Sequence, residues 1–74
     1  APTEEDRIDA LAGLLEERGR GTDAVAVYDR ALEADADLAD AHYNLGLILD
    51  ALGRRAPAMI HLRAARRLYG RRSA

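Results

Sequence analysis

The residues of this chain that could perform chemistry are its histidines and its carboxylates. His42 and His61 are the only histidines, and the chain contains no cysteine. Imidazole is a common metal ligand, but a structural zinc site is almost always four-coordinate, and the sequence offers no convincing third ligand. We therefore predict no metal site and no cofactor, and we interpret His42 as a core or capping residue.

Six carboxylates lie in segments that the pattern predicts to be helical: Asp6, Asp9, Glu16, Glu17, Asp40 and Asp50. Paired acids can act as general acid and base when their surroundings shift their pKa values. The neighbouring residues would not desolvate them, and the chain has no nucleophile elbow, phosphate loop or Cys/His pair. We therefore predict that the chain is not an enzyme.

The charges are distributed unevenly along the chain. Residues 1–52 carry thirteen acids and four arginines, a formal charge of −9, whereas residues 53–74 carry seven arginines and no acid, a charge of +7. Such asymmetry is found in proteins that contact nucleic acid or membranes, and it can attract copies of one chain to each other. It can equally be a solvated surface whose field partly cancels on folding.

Length and composition limit the fold to a single small domain. The chain has 74 residues, too few for a large core, and without cysteine it cannot be stabilised by disulfides. No signal peptide is visible in the sequence, and we expect no bilayer span because its longest apolar run is too short. We expect a cytoplasmic protein that does not contact membranes and that is either processed or cut from a longer chain. The abundance of Ala and Arg without Lys suggests a bacterial source.

The hydrophobic pattern predicts four helices and no strand. Thr3 and Asp6 resemble a capping box that starts the first helix near Glu4, and Gly19 with Gly21 follows its end at Arg18. Thr22 is the expected N-cap of the second helix, which ends near Asp35. The third helix ends at Gly53, and the fourth has Pro57 in its first turn and Gly70 as its C-cap.

The chain resembles itself when it is shifted by 34 residues, so that Asp6 corresponds to Asp40. Seven of the 34 aligned pairs are identical, and they include Gly19 with Gly53 and Arg20 with Arg54. The other identical pairs are Asp6 with Asp40, Leu11 with Leu45, Leu15 with Leu49, Ala24 with Ala58 and Ala31 with Ala65. A fixed period of this length indicates a solenoid of helical hairpins.

The second copy resembles a tetratricopeptide repeat through His42, Leu45, Gly46, Leu49, Ala58, Leu62 and Ala65, and the first copy matches it less fully. His42 stands where the family has Trp, and Gly70 and Ala36 stand where it has Pro. The resemblance implies an all-α fold of two tandem helix-turn-helix repeats, residues 5–38 and 39–72. Four antiparallel helices would then form a short right-handed solenoid within one domain, residues 1–74.

Small residues at helix crossings explain the glycine inside the third helix. Gly46 and Ala12 lie on the first helix of each pair, and Ala24 and Ala58 face them from the second. A glycine inside a helix costs about 1 kcal/mol relative to alanine, so packing must require it.

The resemblance also implies a protein or peptide partner bound in a concave groove lined by the first helix of each pair. Of the Lys and Asn pair with which chaperone-binding members hold a carboxylate, only Asn44 is present, so we expect a basic or apolar peptide or helix instead. The corresponding positions give an acidic groove with an apolar centre: Asp6, Asp9, Gly13, Glu16, Glu17, Asp40, Tyr43, Asn44, Leu47, Asp50 and Ala51.

The last helix is apolar on two sides, which indicates a second neighbour. Two repeats also fall short of the three or so that a solenoid normally needs. We therefore predict self-association, most simply a two-fold homodimer, or else a fragment of a longer repeat array. The predicted contact consists of Ile60, Arg63, Ala64, Arg67 and Leu68. The alternative function is nucleic-acid contact by the arginines of this helix, which the acidic remainder of the chain disfavours.

Overall fold

Four helices make up the regular structure of the protein. The computed structural model describes residues 1–73, in which α1 spans Glu4–Glu17, α2 Gly21–Ala34, α3 Ala39–Ala51 and α4 Arg55–Ser73. No strand occurs within these residues, which confirms the predicted all-α class. Ala74, the last residue of the predicted domain, lies outside the described residues.

A capping box begins α1, as predicted. The Thr3 side chain accepts a hydrogen bond from the Asp6 backbone N–H at 3.1 Å, and the Asp6 carboxylate accepts one from the Thr3 N–H at 3.0 Å. Two backbone donors that the helix leaves unpaired are thereby satisfied. Asp6 therefore has a structural role at the helix start.

The two helical hairpins turn with the same hydrogen bonds at corresponding positions of the repeat. The N–H of Arg20 donates to the Leu15 carbonyl at 2.8 Å, and the N–H of Arg54 donates to the Leu49 carbonyl at 2.8 Å. Gly19 and Gly53 have φ of +73° and +79°, a left-handed conformation that glycine adopts without a steric penalty. Both helix ends are Schellman motifs, and the predicted helix-ending role of each glycine is confirmed.

Two predicted helix boundaries are wrong. The N-cap of α2 is Arg20 rather than Thr22, and Gly21 is the first helical residue. The short turn leaves Arg20 beside the helix start, where its guanidinium Nε donates to Asp23 at 2.7 Å. Gly70 does not end α4, which continues to Ser73, since a single glycine inside a helix is a modest cost.

The helices pack in chain order, α1 on α2, α2 on α3 and α3 on α4. The molecule measures 38 × 35 × 18 Å, and its short dimension matches two layers of helices about 10 Å thick. Leu45 is fully buried at the centre. The other buried members of the core come from all four helices: Ala12, Ala24, Val25, Tyr28, Ala41, Ile48, Leu49 and Ala58.

Gly46 is required by the packing of α3 on α4. A β-carbon at this position would lie 2.6 Å from Cγ of Leu62 and 3.2 Å from the backbone oxygen of Ala58. The first distance is shorter than real carbon contacts, so any side chain at position 46 would force Leu62 or the α4 backbone to shift. The predicted close approach at this crossing is confirmed, and Ala12 and Ala24, both fully buried, are the small residues of the first pair.

Gly46→Ala should lower the free energy of unfolding by about 1 to 3 kcal/mol, because overpacking outweighs the gain in helix propensity. Gly13→Ala is the matched control, since a β-carbon there meets nothing within 4 Å. This second variant should raise stability by up to about 1 kcal/mol. Urea unfolding followed by circular dichroism measures both, and equal effects of the two substitutions would contradict the packing explanation.

The two histidines form a hydrogen-bonded pair between α3 and α4. The Nδ1 atoms of His42 and His61 lie 3.0 Å apart, and His42 Nε2 lies 2.8 Å from the backbone oxygen of Ala36. Because a carbonyl only accepts, His42 carries its proton on Nε2, and His61 donates through Nδ1. Burial, together with the neighbouring His42, lowers the pKa of His61 despite the opposing charge of Asp29.

Stability should therefore decrease as the pH falls below about 7. A histidine with a lowered folded pKa binds its proton more readily in the unfolded chain, so stability is lost as pH falls through the unfolded value of about 6.5 and levels off below the folded pKa. His61→Gln, which can still donate to His42, should flatten this part of the curve. Urea midpoints of wild type and variant between about pH 7.5 and 5 test this, and parallel curves would contradict it.

Candidate functional site

A groove runs between α1 and α3 on one face of the molecule. It encloses about 290 Å³, and its lining residues define what we call the α1–α3 groove: Asp9, Gly13, Glu16, Tyr28, Asn44, Leu47 and Ile48. Five of these seven, all except Tyr28 and Ile48, were predicted from the sequence as groove residues. The groove therefore brings together residues from both predicted repeats.

Asp9 is held in place by donors from two other helices. The Tyr28 hydroxyl donates to Asp9 Oδ1 at 2.7 Å, and the Asn44 side-chain amide donates to the same oxygen at 3.2 Å. The pKa of Tyr28 is raised above its usual value, mainly by burial and secondly by the hydrogen bond to the Asp9 carboxylate. Tyr28 therefore stays protonated and donating, which fixes a negative charge in the groove wall.

The groove presents acids on one wall and apolar groups on the other. Asp9 and Glu16 are seven residues apart on α1, a rise of about 10 Å, and seven residues bring side chains back to the same face of a helix. Leu47 is 46% exposed on α3, whereas Ile48 beside it is buried. A ligand in the groove would meet charge and an exposed leucine together.

Gly13 lies between the two acids and has no packing role within the chain. Its missing side chain leaves open space, unlike that of Gly46, where a β-carbon would clash. Since a helix-interior glycine lowers stability, the fold itself would be better served by alanine at position 13. The glycine widens the groove at its centre.

A second acidic cluster lies near the start of α1, and the sequence analysis did not identify its centre, Glu5. Burial, then the charges of Asp40 and Asp9, raise the pKa of Glu5, and Arg72 opposes them. The Tyr69 hydroxyl donates to Asp40 Oδ1. Burial and this hydrogen bond raise the pKa of Tyr69 to about 12. The acids of α1 and α3 thus repel one another, and a cation would relieve that repulsion.

The other predicted groove residues lie outside the α1–α3 groove. Asp6 caps α1, Glu17 is exposed at the other end of that helix, and Asp50 lies 3.7 Å from Arg55. Ala51 belongs to a smaller hollow between the hairpin turns. The binding role of all these residues remains a prediction.

Tyr43 lines a different cavity, on the open side of the last hairpin. This terminal cavity, as we call it, encloses about 310 Å³ between Tyr43, Leu62, Ala65, Arg66 and Tyr69. The Tyr43 and Tyr69 rings meet edge to face with centroids 6.5 Å apart, and the Arg72 guanidinium lies 5.9 Å from the Tyr69 ring centre. The cavity is mainly apolar, with a basic rim.

The predicted self-association residues of α4 differ in exposure. Ile60 is 65% exposed, but Ala64 is only 8% exposed within the single chain, and Leu68 is half-buried. The burial of Ala64 therefore requires no second molecule. Arg63 and Arg67 are exposed beside Ile60, and a contact through this face remains a prediction.

The described residues offer neither a metal site nor a membrane span. Residues 1–73 contain no cluster of three or more His, Cys, Asp or Glu side chains arranged to hold a metal ion. Over the same residues, none of the helices combines the length and apolar character needed to cross a membrane.

Comparison with protein families gives one match. The family described as TPR repeat matches residues 15–53, just over half of the chain, from the end of α1 through α2 and α3 to Gly53. Comparisons with curated proteins and with solved structures found no match. The helical hairpins, their regular repetition and the family match agree, and we conclude that the chain belongs to the TPR repeat family, whose members are in general protein–protein interaction modules.

Proposed function

We propose that this protein binds a basic segment of a partner protein in the α1–α3 groove. The observation that carries the proposal is the pairing of a fixed carboxylate, Asp9, with an exposed Leu47 across an open groove of about 290 Å³. Recognition sites on proteins commonly combine apolar area with a few oriented polar groups. We assign the binding unit to two repeats, residues 5–38 and 39–72.

The spacing of the acids specifies the ligand further. A separation of about 10 Å between Asp9 and Glu16 equals three residues of extended chain or two turns of helix. A peptide with Arg or Lys at positions i and i+3 of a polyproline II helix, which has three residues per turn, or at i and i+7 of an α-helix presents both charges on one side and would reach both carboxylates. An apolar residue between them would lie against Leu47.

Gly13 supports the same proposal. A glycine inside α1 lowers the stability of the helix, and no close packing within the chain requires the missing side chain. A ligand that lies close to the α1 backbone would explain why position 13 has no side chain. We predict that Gly13→Ala is more stable than the wild type and that Gly13→Leu does not bind. The two results together would indicate that the glycine serves ligand binding and not folding.

The nucleic-acid alternative has less support. Two of the C-terminal arginines already have partners in the chain, Arg55 with Asp50 and Arg72 with the Tyr69 ring. The acidic cluster of Glu5 and Asp40 lies near Arg72 and would repel phosphates. Binding to random DNA or RNA that weakens steeply with salt would favour this alternative.

Peptide display on the wild-type protein tests the groove directly. We expect the selected peptides to be rich in Arg or Lys with an apolar residue between the charges. Glu16→Gln should weaken binding of a selected peptide about tenfold, because a charge-assisted hydrogen bond is worth about 1.5 kcal/mol or more. Gly13→Leu, which fills the groove, should abolish binding measured by calorimetry.

Glu33→Gln is the matched control, since Glu33 is an exposed acid on α2 outside the groove. It should leave the affinity unchanged within twofold, although it changes the net charge by the same amount as Glu16→Gln. Equal losses in both variants would indicate nonspecific charge attraction. Selection of acidic peptides would contradict the proposal.

A further inference from the structure

The first helix exposes leucines at positions that the third helix buries. Leu45 and Ile48 on α3 are 0% and 3% exposed in the core shared with α2. Leu11 and Leu14, the corresponding residues of α1, are 49% and 45% exposed. Within the described chain α1 is the first helix, so no preceding hairpin covers these two leucines.

The last helix shows the complementary situation. On α2, Tyr28 is buried where α3 packs against it, but its counterpart Leu62 on α4 is only half-buried and lines the terminal cavity. Two other residues of this cavity, Ala65 and Arg66, correspond to Ala31 and Leu32 of α2. The terminal cavity is therefore the place where a third hairpin would begin to pack.

The outer helices also carry opposite charges. Six acids and one arginine give α1 a formal charge of −5, whereas α4 has six arginines and no acid, a charge of +6. Two α4 helices placed against each other, as in a two-fold dimer through Ile60, would repel. An α1 helix placed against an α4 helix would attract.

We propose that a second copy of this chain docks head to tail, with its α1 on the α4 of the first copy. The docked helix takes the position on α4 that α3 takes on α2, so Leu11 and Leu14 of the second copy enter the terminal cavity. The two surfaces in contact are different, so a pair of chains still has one free α1 surface and one free α4 surface. Further copies can add to these, and longer assemblies form as the concentration rises. The contact is independent of the ligand proposed for the α1–α3 groove.

Sedimentation of the full chain tests the assembly. We expect the mass of the wild-type protein to rise above 8.1 kDa with concentration, and to fall back towards it in about 1 M salt, where the Debye length is about 3 Å. Leu14→Arg blocks the α1 surface and Arg66→Glu blocks the α4 surface. Each variant alone should remain a monomer, and circular dichroism should show that each keeps its helices.

The mixture of the two variants decides the geometry. Leu14→Arg retains a working α4 surface and Arg66→Glu a working α1 surface, so an equimolar mixture should form a one-to-one dimer and nothing larger. Ile60→Arg is the matched control on α4, because its counterpart Ala26 stays exposed beside α3, and it should assemble like the wild type.

Three results would overturn the proposal. The first is a wild-type protein that stays monomeric at every concentration, and the second is a mixture of folded variants in which no dimer forms. The third is an assembly that Ile60→Arg abolishes and Leu14→Arg leaves intact, which would indicate the two-fold dimer instead.

Discussion

Gly46 lets α3 approach α4 until the Leu62 side chain occupies the space that a β-carbon of residue 46 would need. Fully buried alanines do the same for the first pair of helices. Dispersion contacts decrease steeply with distance, so a core this small depends on backbones that lie close together. The larger side chains, Leu45, Ile48 and Tyr28, can then interlock around the crossings.

The same arrangement leaves the two ends of the stack different from its middle. The inner helices α2 and α3 each pack extensively on two neighbours, whereas α1 packs extensively only on α2 and α4 only on α3. Equivalent positions are consequently buried in the middle and exposed at the ends, as Leu45 and Leu11 show. The opposite charges of the end helices distinguish one end from the other, a property that a symmetric pair of hairpins would lack.

The sequence predicted most of the fold because its signals are local or periodic. Gly19, Gly53 and the Thr3 capping box mark helix ends with short-range chemistry, and the constant offset between the two copies places the hairpins. The prediction for Thr22 is wrong because the preceding turn is tight enough for Gly21 to begin the helix. The prediction that Gly70 ends α4 is wrong because a glycine lowers helix stability only modestly and the local pattern does not show what holds this turn. Tyr69, the residue before it, donates a hydrogen bond to Asp40 of α3.

The groove was predicted only in part, for a physical reason. Periodicity along α1 and α3 identifies which residues face one side, and five of those residues do line the α1–α3 groove. It does not reveal contacts between helices, so the hydrogen bonds of Tyr28 and Asn44 to Asp9 were not foreseen. A tyrosine in the apolar stripe of α2 was the available signal, because a buried hydroxyl needs a partner. The acid cluster around Glu5 arises from charges on two helices, which no single stripe displays.

The identical hairpin turns have a consequence for the length of the protein. Arg20 and Arg54 make the same backbone hydrogen bonds, and the helices that follow them begin at equivalent residues, Gly21 and Arg55. If a second copy of residues 21–54 were inserted after Arg54, the new junctions on both sides of it could adopt the same turn conformation that the chain already has at residues 20–21 and 54–55. The architecture can grow by whole hairpin units without any new kind of joint.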